Sequence, residues 1–158
     1  MRHHAGVLIA VLALLLGTAM PAAAQSDGLV TRPSKNSVRA TLDRFAVAVR
    51  ESGWAVFGEV DHAAAARAAG MSLPARTVVL FGNPRAGTSA MQAHATLAID
   101  LPMRALVWED DSGHVFITRS TGSDIAARVF ARHGITIPPD GQRGTDSLIE
   151  GLVRKAAE

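Results

Sequence analysis

From Ser37 onward the apolar residues Val38, Leu42, Phe45 and Val49 recur at offsets of 0, 4, 7 and 11. That spacing places them on one face of a helix, which Ser34 or Ser37 can cap and Gly53 can end. Upstream, residues 29–32 have strand character and stop at Pro33-Ser34. Residues 54–60 read as a second strand, and Asp61 stands where a short helix over 62–69 needs its N-cap, with Gly70 as terminator. Residues 76–81 form a nearly continuous run of β-branched and apolar side chains between Pro74 and Gly82-Asn83-Pro84. This pattern predicts a central strand covered on both faces.

Residues 83–88 predict a loop leading into a helix over 89–93, with Thr88 as its N-cap. Strands follow over 103–108 and 114–119, joined by Asp110-Asp111-Ser112-Gly113 as an antiparallel hairpin. Thr121 or Ser123 can start a helix bearing Ile125, Val129 and Phe130 that Gly134 stops. A proline-containing loop then precedes a last helix over 145–157, whose stripe of Leu148, Ile149, Leu152, Val153 and Ala156 must pack. The order β-α-β-α-β-α-β-β-α-α predicts an α+β fold: a single compact domain with helices packed on a mixed sheet of about five strands, its hairpin followed by helices.

The first residues change the picture of where the protein resides. Met1-Arg2-His3-His4, an apolar run over 5–16 and Pro21-Ala22-Ala23-Ala24 have the form of a signal peptide cleaved after Ala24. Residues 25–36 then form a tail and first short strand, and 134–158 a loop and C-terminal helix beyond the main domain. No later stretch reaches the roughly 20 apolar residues of a membrane helix, so the processed protein is expected to be soluble, in the periplasm or secreted. The chain has no cysteine, which excludes a lipoprotein anchor, disulfides, thiolate metal sites and thiol catalysis. Sixteen basic against fourteen acidic side chains leave a net charge of +2, too little to predict a nucleic-acid partner.

Phe81-Gly82-Asn83-Pro84-Arg85-Ala86-Gly87-Thr88, then Met91-Gln92-Ala93, Asp100-Leu101-Pro102 and Trp108-Glu109-Asp110 occur in this order, with Asp61-His62 and Gly70 upstream. This string resembles the domain-of-unknown-function family 302, over residues 29–133. The resemblance implies a compact α+β domain that often pairs into a dimer, and no established activity. The chain departs from the family's common pattern at His94-Ala95, where Asn-Pro is frequent, and at Arg119-Ser120, where Tyr-Asn is frequent.

Three sets of residues carry candidate chemistry. Asp61-His62 lies at a strand-to-helix junction where a carboxylate can orient an imidazole for proton transfer, although an N-cap aspartate explains the same pair. The segment from Gly82 to Thr88 offers backbone N–H groups and Arg85 to an anion, and its position after a strand marks Asn83, Arg85, Gly87, Thr88 and Met91 as a ligand-binding set. Its glycines are equally explained by a tight connection. Met91 and His94, with Met71 and Met103, offer soft ligands to copper, but their density fits core filling better and no metal is expected. Asp100, Glu109, Asp110 and Asp111 could pair as acids, but the hairpin turn is the simpler explanation for the last three. Trp54 and Trp108 read as core or interface residues.

These observations support an exported small-ligand-binding or interaction module that needs no cofactor and forms a homodimer. Two alternatives stand beside it: a small-substrate hydrolase or isomerase using Asp61 or His62 as base, and a structural dimer subunit. Whether Asp61 or His62 faces the same cavity as Asn83 and Thr88 separates the first two.

Overall fold

A computed structural model describes residues 28–158. The expected signal peptide, its expected cleavage site and residues 25–27 of the tail lie outside the described residues. Helix α1 (Val38–Glu51) forms as its spacing predicts. Ser37 caps it by accepting from the Ala40 N–H at 3.3 Å, and Leu42, Phe45 and Val49 are buried along one face. Gly53, at φ 77°, turns the chain out of the helix, and the Trp54 N–H closes the turn on the Val49 carbonyl.

The strands are β1 (Leu29–Ser34), β2 (Ala55–Asp61), β3 (Arg76–Gly82), β4 (Met103–Glu109) and β5 (Val115–Ser120). They form one sheet in the order β1-β5-β4-β3-β2. The α+β class and the five strands agree with the sequence pattern, but every neighbouring pair is antiparallel and the sheet is not mixed. Helices α2 (His62–Ala68) and α3 (Pro84–Ala93) each link two strands at one end of the sheet, so the chain returns antiparallel instead of crossing over. Only α1 crosses the sheet, since β1 and β2 form its two edges. Pro33 fits within β1 because an edge strand has an unpaired side.

β3 is also less enclosed than its apolar run suggests. It lies between β4 and the edge strand β2, and burial alternates along it: Thr77, Val79 and Phe81 are buried while Val78 and Leu80 are half-buried. The covered face packs on α1 and α5 (Pro139–Ala157), where Phe45 meets Phe81 edge-on at 5.0 Å. On the other face Trp108 stacks with Phe116 at 4.6 Å, and the Arg76 guanidinium lies over the Trp108 ring.

Helix α5 begins at Pro139, six residues before the position the apolar stripe indicates, since proline at the first helical position needs no N–H partner. Ile149, Leu152, Val153, Ala156 and Ala157 are buried, so α5 packs into the core as its apolar stripe requires. Between β5 and α5 the chain forms α4 (Gly122–Ile125), a π turn (Ala126–Phe130) and a 3-10 turn (Ala131–His133) that ends at Gly134, φ 75°. Gly122 sits where an added Cβ would fall 1.9 Å from the Gln142 carbonyl oxygen, so α4 and α5 approach this closely only at a glycine.

Among the described residues one charged side chain is buried. Arg119 on β5, 3% exposed, donates to Asp146 at 2.7 Å and to Glu150 at 2.9 Å on α5. Arg32 of β1 also donates to Glu150. The Arg119 hydrogen bond holds Asp146 below its ordinary carboxylate pKa, against the effect of burial and with help from the Gly122 N–H. Burial pushes Glu150 up, but hydrogen bonds from Arg32 and Arg119 outweigh it and leave Glu150 lowered. Arg119, one of the departures from the family pattern, thus fastens sheet to helix.

Candidate functional site: an apolar cleft at the end of β3

Where β3 ends and β4 begins, a cleft of about 440 Å³ opens between α3, the Leu101-Pro102 segment and the α4 region. Trp54, Phe57, Met91 and Met103 contribute apolar wall, Ile125 and Phe130 close one side, and no charged side chain lines it. Its polar side chains are Asn83, Thr88 and Thr145. The Trp54 ring stacks near Phe81 at 6.2 Å, so the cleft wall is continuous with the buried core.

The geometry of α3 revises the sequence expectation. Residues 83–88 are not a loop: the helix starts at Pro84 and its N-cap is Asn83, whose side-chain oxygen accepts from the N–H groups of Arg85 at 3.0 Å and Ala86 at 3.2 Å. The Gly87 N–H donates to the Asn83 carbonyl at 2.9 Å, and Pro84 has no N–H. Every N–H of the first turn is therefore spoken for, and the expected anion cradle does not exist. Asn-Pro is a strong helix-start signal, since the cap and the N1 proline are both favoured there; the glycine hid it by its weak helix propensity. Thr88 lies in the second turn and caps nothing.

Four of the five expected binding residues, Asn83, Gly87, Thr88 and Met91, do line the cleft together. Arg85 does not; it is exposed and absent from the wall. Gly87 forms a close part of the wall, with its Cβ position 3.7 Å from the Leu101 Cδ1 atom and 4.0 Å from the Met91 Cε atom. Phe57, Leu101, Ile125, Phe130 and Thr145 were not foreseen, because they arrive from distant parts of the chain. Ile125 and Phe130 reach the same wall across the π turn, which widens the helical repeat between them.

Asp61 and His62 are remote from this cleft. β2 runs from Ala55, paired with Gly82 beside the cleft, to Asp61, paired with Thr77 at the other end, a strand length of about 20 Å. The Asp61 carboxylate accepts from the Ala64 N–H at 2.9 Å, so it caps α2. A general base acts within hydrogen-bond reach or through one water, so neither residue can serve chemistry in the cleft. Met91 and Met103 both line the cleft, whereas Met71 is 67% exposed before β3 and His94 ends α3. Asp110 accepts from the Ser112 and His114 N–H groups, both at 2.9 Å, within the hairpin turn. The His114 N–H in particular draws its carboxyl below the ordinary range.

The molecule is thus an α+β domain with one helix-covered face of an antiparallel sheet and an apolar cleft at the sheet's end. The chain belongs to the family described as domain of unknown function DUF302, whose model matches residues 30–141. It resembles the crystal structure of an uncharacterized conserved protein DUF302 from Bacillus stearothermophilus, with a TM-score of 0.67 and 10% identity, over 83% of this chain and 99% of that one. At that identity the likeness shows the fold alone. The chain is also 45% identical over 102 residues to a protein of Brucella suis biovar 1 named fluoride-specific ion channel FluC 1, covering 65% of this chain and 40% of that protein. The Brucella melitensis biotype 1 protein named FluC 2 matches with the same identity over 38% of its length. The chain therefore spans about 40% of the length of these curated relatives. Among the described residues no helix is long and apolar enough to cross a membrane.

Proposed function

We propose that this domain is a small-molecule-binding module whose cleft takes an uncharged, largely apolar ligand. The observation that carries this reading is a cavity of about 440 Å³ with no charged side chain in its wall. Such a volume matches the usual size of ligand sites, and an apolar wall with a few polar groups is their usual composition. An ionic ligand would lose its hydration without gaining a partner. Asn83, Thr88 and Thr145 supply the polar edge that orients a bound molecule. The match to part of longer proteins named as fluoride channels fits a self-contained module that is also used in larger chains.

A thermal-shift measurement with indole and 2-naphthol beside sodium fluoride and phosphate tests the reading. The two aromatic probes are expected to raise Tm, with about 1.4 kcal/mol of stabilisation when present at tenfold their Kd, and the anions to leave it unchanged. Gly87→Leu, which extends a side chain toward Leu101 and Met91, should abolish the shift while the protein stays folded. Absence of any shift with the aromatic probes, or an undiminished shift in the variant, would overturn the assignment.

A further inference from the structure

Outside the cleft, three side chains from two turns of the chain form a connected relay. The Thr96 hydroxyl lies 2.9 Å from Nδ1 of His133, and Nε2 of the same ring lies 2.7 Å from Oδ2 of Asp100. An ionised carboxylate only accepts, so Nε2 carries the proton. In the neutral ring Nδ1 is then a bare acceptor, and the Thr96 O–H must be the donor. Arg132 pairs with the same Asp100 carboxylate at 3.3 Å. The His133 side chain is 5% exposed and that of Asp100 17%, whereas Thr96 is exposed. Base and orienting acid are shielded while the hydroxyl faces solvent.

We propose that Thr96, His133 and Asp100 act as nucleophile, general base and orienting acid in the hydrolysis of small uncharged esters. Such a triad is defined by geometry and roles and not by sequence order. Thr96 and Asp100 sit on one 3-10 turn (Ala95–Ile99) and its C-cap, and His133 is delivered by the 3-10 turn that Gly134 closes. Exposed Ile99 adjoins Asp100, so the neighbourhood offers an acyl group apolar surface, and the relay carries no anionic side chain but Asp100 itself. In the reaction Thr96 Oγ1 bonds to the carbonyl carbon as its proton passes to His133 Nδ1. Collapse breaks the ester C–O bond, and the departing alkoxide takes that proton and leaves as alcohol. Water then attacks the acyl-threonine, gives a proton to Nδ1, and the Thr96 oxygen recovers it as the carboxylic acid leaves. Ester and water become acid and alcohol with no other reactant.

The test is p-nitrophenyl acetate turnover by the purified chain, combined with acid quenching and peptide mapping of the acetylated protein. The acetyl group is expected on Thr96. Thr96→Val should remove the adduct and lower the rate by about 100-fold or more, while Thr96→Ser retains both. Thr96 is exposed, so its variants should fold, which circular dichroism checks; His133, being buried, is the less informative site. Acetylation only elsewhere, an unchanged rate in Thr96→Val, or no turnover above buffer by the folded protein would overturn the proposal and leave the relay a clasp between two turns. None of these outcomes depends on ligand binding in the cleft.

Discussion

The helix-covered face of the sheet and the cleft beyond β3 are built from the same kinds of side chain, and the Phe45, Phe81 and Trp54 rings run continuously from one to the other. On the covered face two long helices lay matched apolar stripes along alternating strand residues, so every large side chain finds neighbours on all sides. At the cleft, by contrast, several wall residues come from the ends of elements: Trp54 before β2, Met103 opening β4, Ile125 closing α4. Surfaces that run side by side for several turns interdigitate and fill, whereas element ends that merely converge leave volume between them. The same composition therefore stabilises in one place and can receive a ligand in the other.

The sharpest way to break this contrast is truncation on both sides of it. Phe45→Ala, at a fully buried ring, should cost about 3–5 kcal/mol in a urea unfolding series, whereas Met91→Ala, already bordered by empty volume, should cost about 1 kcal/mol or less. Equal losses would make the cleft an extension of the core. Next in size is the buried cation. Arg119→Met should lower stability at neutral pH by about 1–3 kcal/mol, less than for a fully buried pair because Asp146 and Glu150 remain partly hydrated. Both carboxyls have lowered folded-state pKa values, so the stability they contribute is present above their ordinary values of 3.8 and 4.5 and is lost as the pH falls through the lowered ones. Melting curves from pH 6 downward should therefore fall less steeply in Arg119→Met than in the parent. The smallest effect is a gain. Gly87→Ala places a methyl at ordinary contact distance inside a helix and should raise stability by about 0.5–1 kcal/mol, with Tm as the measure. A loss there would mean that the wall is tighter than its spacing indicates.

The local devices of this chain were legible because each rests on a few neighbouring residues. Ser37, Asp61 and Thr121 cap the helices they precede, Gly53, Gly70 and Gly134 end helices at positive φ, and the Asp110–Gly113 turn joins β4 to β5. The early starts of α3 and α5 were missed for a related reason, since glycines in their first turns, Gly87 and Gly141, masked proline-led helix beginnings. Part of the cleft was legible too: Asn83, Gly87, Thr88 and Met91 follow a strand end in one short segment. The wall that Phe57 and the residues from Leu101 to Thr145 complete, and the meeting of Thr96 with His133 across 37 residues, have no local signature.

The sequence alone determined the order of the strands and main helices, most of the caps and turns between them, the α+β class and the family, because these depend on periodicity and on side chains a few positions apart. Tertiary structure alone decided that all strand pairs are antiparallel, that Asp61 ends up a strand's length from the cleft, that the cleft excludes charge, and that a hydroxyl, an imidazole and a carboxylate align. Those outcomes follow from which elements pack together, and packing joins residues whose separation along the chain carries no information about their separation in space.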